Sequence, residues 1–192
     1  SLDNNSKDFL FVGRNEAAQV IGAMVTLVKE KLPKYVDADV SEVQVLTPMR
    51  KGVLGVENLN IVLQQSLNPK ADNKREKETA SGIFRQGDKV MQIKNNYQIE
   101  WEMRGKHGYV TERGVGIFNG DTGIIRNINL YLETLEVEFD DGKWVNYSFK
   151  QLEELELAYA VTIHKSQGSE YPAVVLPLLT GPGMLMNRNL LY

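Results

Sequence analysis

The sequence predicts an α/β fold: a parallel sheet flanked by helices and interrupted by a small inserted β-barrel. Strand-like and helix-like periodicities alternate through the first 70 residues, the mark of parallel strands joined by helical crossovers. From Ile83 the texture changes to short alternating runs separated by turn signals, as in an antiparallel barrel. Aliphatic runs resume at Leu157, so the barrel interrupts the sheet.

Taken in order, Asp8-Phe9-Leu10-Phe11-Val12 reads as the first strand. Ala17, Val20, Ile21, Met24, Leu27, Val28 and Leu32 then recur at helical spacing until Pro33, giving an amphipathic helix that packs on the sheet. Val43-Gln44-Val45-Leu46 is the next strand. Val56, Leu59, Leu63 and Leu67 give the following helix an apolar face, closed by Asn68-Pro69. Both stripes read as core, and Asn60 and Gln64 on the second helix read as structural. Strand, helix, strand, helix implies a parallel sheet with right-handed crossovers.

Residues 70–80 mix both signs of charge without an apolar face and read as a solvated linker or mobile loop. Leu135, Val137 and Phe139 alternate with Glu136 and Glu138, Asp141-Gly142 supplies a tight turn, and Val145, Tyr147 and Phe149 alternate again, which predicts a hairpin. With Gly87-Asp88 and Asn119-Gly120 as further turns, residues 83–151 predict a five-stranded barrel. Within it, Gln98 to Ile117 sets Trp101, Arg104, Lys106, His107, Tyr109 and Arg113 among Glu100, Glu102 and Glu112. Interleaved aromatic and basic residues can stack on single-stranded nucleic acid. The same residues also fit an extended hairpin with a solvated surface, and the glutamates oppose phosphate.

A chain of 192 residues, 42% hydrophobic and 24% charged, can bury a real core and is neither disordered nor membrane-spanning. A net charge of -3 argues against binding nucleic acid by bulk electrostatics, so any such contact must come from a local groove. The absence of cysteine, of a long apolar run and of a signal-like start favours a cytoplasmic protein with no membrane partner.

The most informative stretch is residues 158–171. Tyr159, Val161 and Ile163 alternate with Ala160 and Thr162 as in a strand, a polar cluster follows, and Ala173-Val174-Val175-Leu176 resumes as a buried strand. Thr162 can cap a short helical turn through His164, Lys165 and Ser166, with Gly168 free to end it in the left-handed conformation. Such a turn offers N–H groups, a hydroxyl, an imidazole and an ammonium to an anion. A polar loop between two strands is the plainer alternative. The nearest approach to a phosphate loop, Gly82 to Gly87 followed by Asp88 and Lys89, places a carboxylate where the phosphate should lie, so it is not one.

Thr162 to Glu170, Thr-Ile-His-Lys-Ser-Gln-Gly-Ser-Glu, resembles motif V of superfamily 1 helicases of the RecD-type, 5′-to-3′ branch. Val45 to Gly52 with Leu59-Asn60, Leu63-Gln64 and Asn68-Pro69 resembles the strand and helix that open the second RecA-like domain of that family. Phe84 to Gln92, Asn95-Asn96-Tyr97 and Phe118 to Gly123 resemble its inserted SH3-like barrel, in which Gln98 to Ile117 departs from the family's usual short connection. The resemblance implies a RecA-like sheet interrupted by an SH3-like barrel, with 1–82 and 152–192 as the two parts of the RecA-like domain and 83–151 as the insert.

On the same resemblance, Thr162, His164 and Lys165 would face DNA, as would Thr47, Pro48 and Arg50 at the start of a helix, while Gln167, Gly168 and Glu170 would face the nucleotide. A hydrogen-bonded structural residue is the lesser alternative for His164, and decoration of its loop an equal one for Arg50. ATP and Mg would serve the full-length parent, whose phosphate loop and magnesium carboxylates are expected before Ser1 and whose motif VI arginine is expected after Asn189 to Tyr192. The chain is thus expected to be cut from a larger helicase, inactive alone and without catalytic or metal-binding residues of its own. Expected partners are single-stranded DNA, the first RecA-like domain and other exonuclease V subunits. A stand-alone helicase or a relaxase-helicase is equally open as the parent. A non-catalytic module that binds protein or nucleic acid through the barrel is the alternative from another class.

Overall fold

The computed structural model describes residues 12–179. Apart from Val12, the strand expected from Asp8 to Val12 lies outside them, as do Asn189 to Tyr192. Helix α1 (Ala17–Thr26) buries Val20 and Met24, passes through a π-helical turn (Leu27–Lys31) that buries Val28, and continues as α2 (Leu32–Val36). The helical path therefore outlasts Pro33. That residue sits in the first turn of α2, where a missing N–H costs least, and Asp37 ends the helix at φ +52°.

Strand β1 (Val43–Thr47) leads to α3 (Val56–Leu67), which turns Leu59 and Leu63 inward. β2 (Glu76–Thr79) and β3 (Gly82–Arg85) form a small antiparallel pair. The stretch expected to be a solvated linker is thus partly strand. The reason is Arg85, which is buried and needs the Glu76 carboxylate 2.6 Å from its Nε.

The next seven strands are β4 (Lys89–Gln92), β5 (Asn96–Arg104), β6 (Val110–Ile117), β7 (Thr122–Asn129), β8 (Thr134–Phe139), β9 (Lys143–Ser148) and β10 (Leu155–Leu157). They form one antiparallel sheet ordered β10-β4-β7-β8-β9-β5-β6. The predicted β8–β9 hairpin forms, with Leu135 opposite Tyr147, Val137 opposite Val145 and Gly142 at φ +89° in the turn, though Phe149 falls just beyond β9. The sheet is not, however, a closed five-stranded barrel. Residues 98–117 lengthen β5 and β6 into a hairpin, β5 takes β9 on its other side, and β6 is left as an edge that does not meet β10 among the described residues.

β11 (Ala160–Thr162) and β12 (Ala173–Val175) flank β1 in a three-stranded parallel sheet. One core joins this sheet to the helices through Met24, Val45, Leu59 and Leu63, and another fills the antiparallel sheet through Ile117, Ile125, Leu135, Val137 and Tyr147. Polar bonds join the two. Buried Asp88 accepts from Gln64 Nε2 at 2.6 Å, Asn68 Nδ2 at 2.8 Å, the Tyr159 hydroxyl at 2.8 Å and the Arg85 backbone N–H at 2.6 Å. Burial pushes the Asp88 carboxyl up, while these donors oppose the shift. Beside it, Lys89 Nζ donates to Ser41 O at 2.7 Å and Gln44 Oε1 at 2.9 Å, and burial lowers this ammonium to about 8. Asn60 is structural as expected, its Nδ2 donating to Leu157 O at 3.0 Å and Ala160 O at 2.9 Å while Oδ1 accepts from Ala160 N at 2.8 Å.

Candidate nucleic-acid interface

The parallel register sets Thr47 directly opposite Thr162 at the carboxyl ends of β1 and β11. Loops that follow parallel strands at that end are where α/β sheets hold ligands. Residues 48–55 and 163–172 are those loops, so two segments more than a hundred residues apart in sequence become neighbours through one strand pairing.

The second loop begins as the sequence predicts. Thr162 Oγ1 accepts the Lys165 backbone N–H at 3.3 Å, a short turn (Ile163–Ser166) follows, and Gly168 takes φ +82°. His164, Gln167, Gly168 and Glu170 are exposed, while Thr162 and Lys165 are half-buried. Lys165 Nζ reaches across to the inserted sheet and donates to Asn119 Oδ1 at 2.5 Å.

The first loop differs from expectation. Thr47, Pro48 and Arg50 do not begin a helix; α3 starts at Val56, and its first N–H groups are taken by Met49 O at 3.0 Å and Arg50 O at 3.1 Å. No open helix end is left there for a phosphate. Thr47 is fully buried and donates to Leu54 O at 2.7 Å, so its hydroxyl shapes the loop instead of facing solvent. Gly55 is required because a Cβ there would lie 2.5 Å from Lys51 O and 2.6 Å from Arg50 O. Pro48 is half-buried. Arg50 is exposed, and its guanidinium pairs with Glu156 Oε1 at 2.9 Å.

Arg50, Thr162 and Lys165 line one narrow cleft with Glu156, Met91 and Val161. Two cations and a hydroxyl at the carboxyl end of a parallel sheet are chemically suited to a polyanion backbone; among the described residues Arg50 pairs with Glu156 and Lys165 donates to Asn119. Glu156 and Asn119 are neighbours of these two cations that sequence reasoning missed. They lie 106 and 46 residues from Arg50 and Lys165, and no local pattern links them. Among the described residues no cluster of His, Cys, Asp or Glu could hold a metal ion. Among the same residues, no helix is long and apolar enough to cross a membrane.

Residues 59–139 match the family model described as the ATP-dependent RecD-like DNA helicase SH3 domain, and residues 157–192 match the UvrD-like helicase C-terminal domain. The chain is 39% identical over 150 residues to the ATP-dependent RecD2 DNA helicase of Deinococcus radiodurans, covering 78% of this chain and 18% of that protein. It is 30% identical over 155 residues to the RecBCD enzyme subunit RecD of Haemophilus influenzae, covering 79% of this chain and 19% of that protein. The chain thus spans about a fifth of the length of these relatives. A Bacteroides Pif1 helicase solved with ADP-AlF3 and ssDNA overlays with a TM-score of 0.42 at 17% identity, covering 87% of this chain and 44% of that one. The Candida albicans Pif1 helicase overlays at 0.40 and 12%, covering 87% and 49%; likenesses so distant carry no functional argument. By its two matched segments and its RecD relatives, this chain belongs to the RecD-like DNA helicases.

Proposed function

We propose that this chain is the part of an ATP-dependent 5′-to-3′ DNA helicase that carries single-stranded DNA and forms one wall of the ATP cleft. The observation that supports this most is the pairing of Thr47 with Thr162, which brings Arg50 and Lys165 into one cleft beside the exposed turn of His164, Gln167 and Glu170. In this reading Thr162, His164, Lys165 and Arg50 hold the strand, Pro48 and buried Thr47 shape the first loop, and Gln167, Gly168 and Glu170 face the nucleotide. A carboxylate such as Glu170 suits the ribose hydroxyls and would repel the triphosphate. The domain boundaries follow the same reading, with 83–151 as the insert within 1–82 and 152–192.

ATP and Mg would be held mainly by a first RecA-like domain, and closure of the cleft on ATP would shift DNA along both domains. Because the strand-facing and nucleotide-facing residues share the one short segment from Thr162 to Glu170, movement at one flank is felt at the other. Relatives named as RecBCD subunits make an exonuclease V complex one candidate assembly, in the cytoplasm. The chain by itself is expected to bind single-stranded DNA weakly and to hydrolyse no ATP, since its sequence contains no phosphate loop.

The test measures both. Replacing Arg50 and Lys165 with alanine should weaken binding to labelled oligothymidylate and reduce the dependence of affinity on salt by roughly one ion per residue. Unchanged affinity in the double variant, or ATP turnover by this chain alone, would sink the assignment.

A further inference from the structure

We propose that Tyr97 and Phe118 form a stacking ledge for bases of single-stranded DNA, extending the cleft onto the inserted sheet. The inference rests on the DNA-track reading above and adds a contact of different chemistry. The two rings meet edge to face with centroids 5.6 Å apart, yet they stay 67% and 42% exposed. Neither belongs to the core beneath them, so much of their apolar surface is left in water.

The ledge is held in place by its neighbours. Asn95 Oδ1 accepts the Asn119 backbone N–H at 2.9 Å, and Asn95 Nδ2 donates to the Tyr97 hydroxyl at 3.3 Å. Asn96 Oδ1 accepts the backbone N–H groups of Gln98 at 3.1 Å and Ile99 at 3.0 Å, which fixes the chain after Tyr97. The Phe118 N–H donates to Asp121 Oδ2 at 2.9 Å. Gly116, at φ +102°, passes under the Phe118 ring, where a Cβ would lie 3.2 Å from it. A surface already ordered in this way forfeits little entropy when a ligand settles on it.

Its location selects the ligand. Asn119, next in sequence to Phe118, accepts from Lys165 Nζ at 2.5 Å, so the ledge adjoins the ammonium that lines the cleft. Of the carboxylates near it, Glu153 pairs with Lys94 at 3.2 Å, Glu154 accepts from the amides of Gln92 and Asn96, and Asp121 accepts the Phe118 N–H. Rings beside a cation suit a polymer that alternates flat bases with phosphates. Every base has a π face, so the ledge would take single strands of any sequence, whereas paired and stacked duplex DNA presents no free face.

The experiment uses the whole protein that carries this chain, with labelled oligothymidylate for affinity and a 2-aminopurine strand to report stacking. Tyr97→Ala and Phe118→Ala should each weaken single-strand binding roughly tenfold and reduce 2-aminopurine quenching. The salt dependence should stay unchanged, because no phosphate contact is removed. Tyr97→Trp and Phe118→Trp should keep both affinity and quenching, which guards against mere misfolding. If the alanine variants bind as the parent does while Lys165→Ala weakens binding, the ledge is overturned and the cleft stands. If none of the three alters binding, both ideas fall; if the tryptophan variants lose binding as fully as the alanines, stacking is not the cause.

Discussion

Arg50 has two possible partners, the Glu156 carboxylate it holds in this structure and the phosphate proposed to replace it. A pair this exposed, with the Arg50 side chain 47% accessible, contributes at most about 1 kcal/mol to folding. Glu156→Gln should therefore leave the melting temperature nearly unchanged while raising affinity for single-stranded DNA a few-fold at low salt, read by anisotropy. A fall in affinity would mean that Glu156 orients Arg50 and does not compete for it. Gly55 acts on the same loop through sterics. Gly55→Ala forces a methyl against two backbone carbonyls that cannot swing away, and should cost roughly 1–3 kcal/mol in urea unfolding.

In the long β5–β6 hairpin, Arg104 is tied to its own strand and to the neighbouring strands β8 and β9. Arg104 Nε lies 2.8 Å from Glu102, its NH2 lies 2.7 Å from Glu136, and the guanidinium stacks over Trp144 at 4.2 Å. Trp101 packs on Gly114, where a Cβ would come within 2.3 Å of the indole. Two of the six residues that fitted a DNA contact in the sequence, Trp101 and Arg104, thus have partners within the sheet. Arg104→Ala is expected to lower stability by about 1 kcal/mol and to leave DNA affinity alone; weaker DNA binding in that variant would restore the hairpin as a contact. The strand β4 carries a pH signature. Lys89 titrates near 8 when folded against a usual 10.5, so between those values the unfolded chain binds more protons and this site's contribution to stability rises with pH. Lys89→Met should abolish that rise, measured as the change in unfolding free energy from about pH 7.5 to about pH 9.5 relative to the parent.

For the whole molecule, Asp88 is one of the buried polar groups that tie the two cores together, with Lys89 beside it. Asp88→Ala would strand the Tyr159 hydroxyl and leave Gln64 and Asn68 with only Ile83 O and Gln86 O as acceptors, a loss on the order of 3 kcal/mol, and should make the two cores unfold in separate transitions, visible by calorimetry. Much of this organisation was legible in the chain. Periodicity marked α1, α3 and the β8–β9 hairpin because apolar spacing is a local property, and Thr162 and Gly168 announced their turn because capping and left-handed backbone are local as well. The open sheet was not legible. Turn signals show where strands end but not which edges meet, and only the pairing of β5 with β9 left β6 outside. The same limit hid Glu156 and Asn119, whose roles exist only once β10 and the 118–121 turn lie beside the cleft. The sequence by itself determined α1, α3, the β8–β9 hairpin, the polar corner from Thr162 to Glu170 and the family resemblance, each carried by residues close together in the chain. Only the tertiary structure decided that Thr47 is buried, that Arg50 and Lys165 share a cleft, and that two aromatic rings stand beside it, because strand register and long-range burial are set by the folded whole.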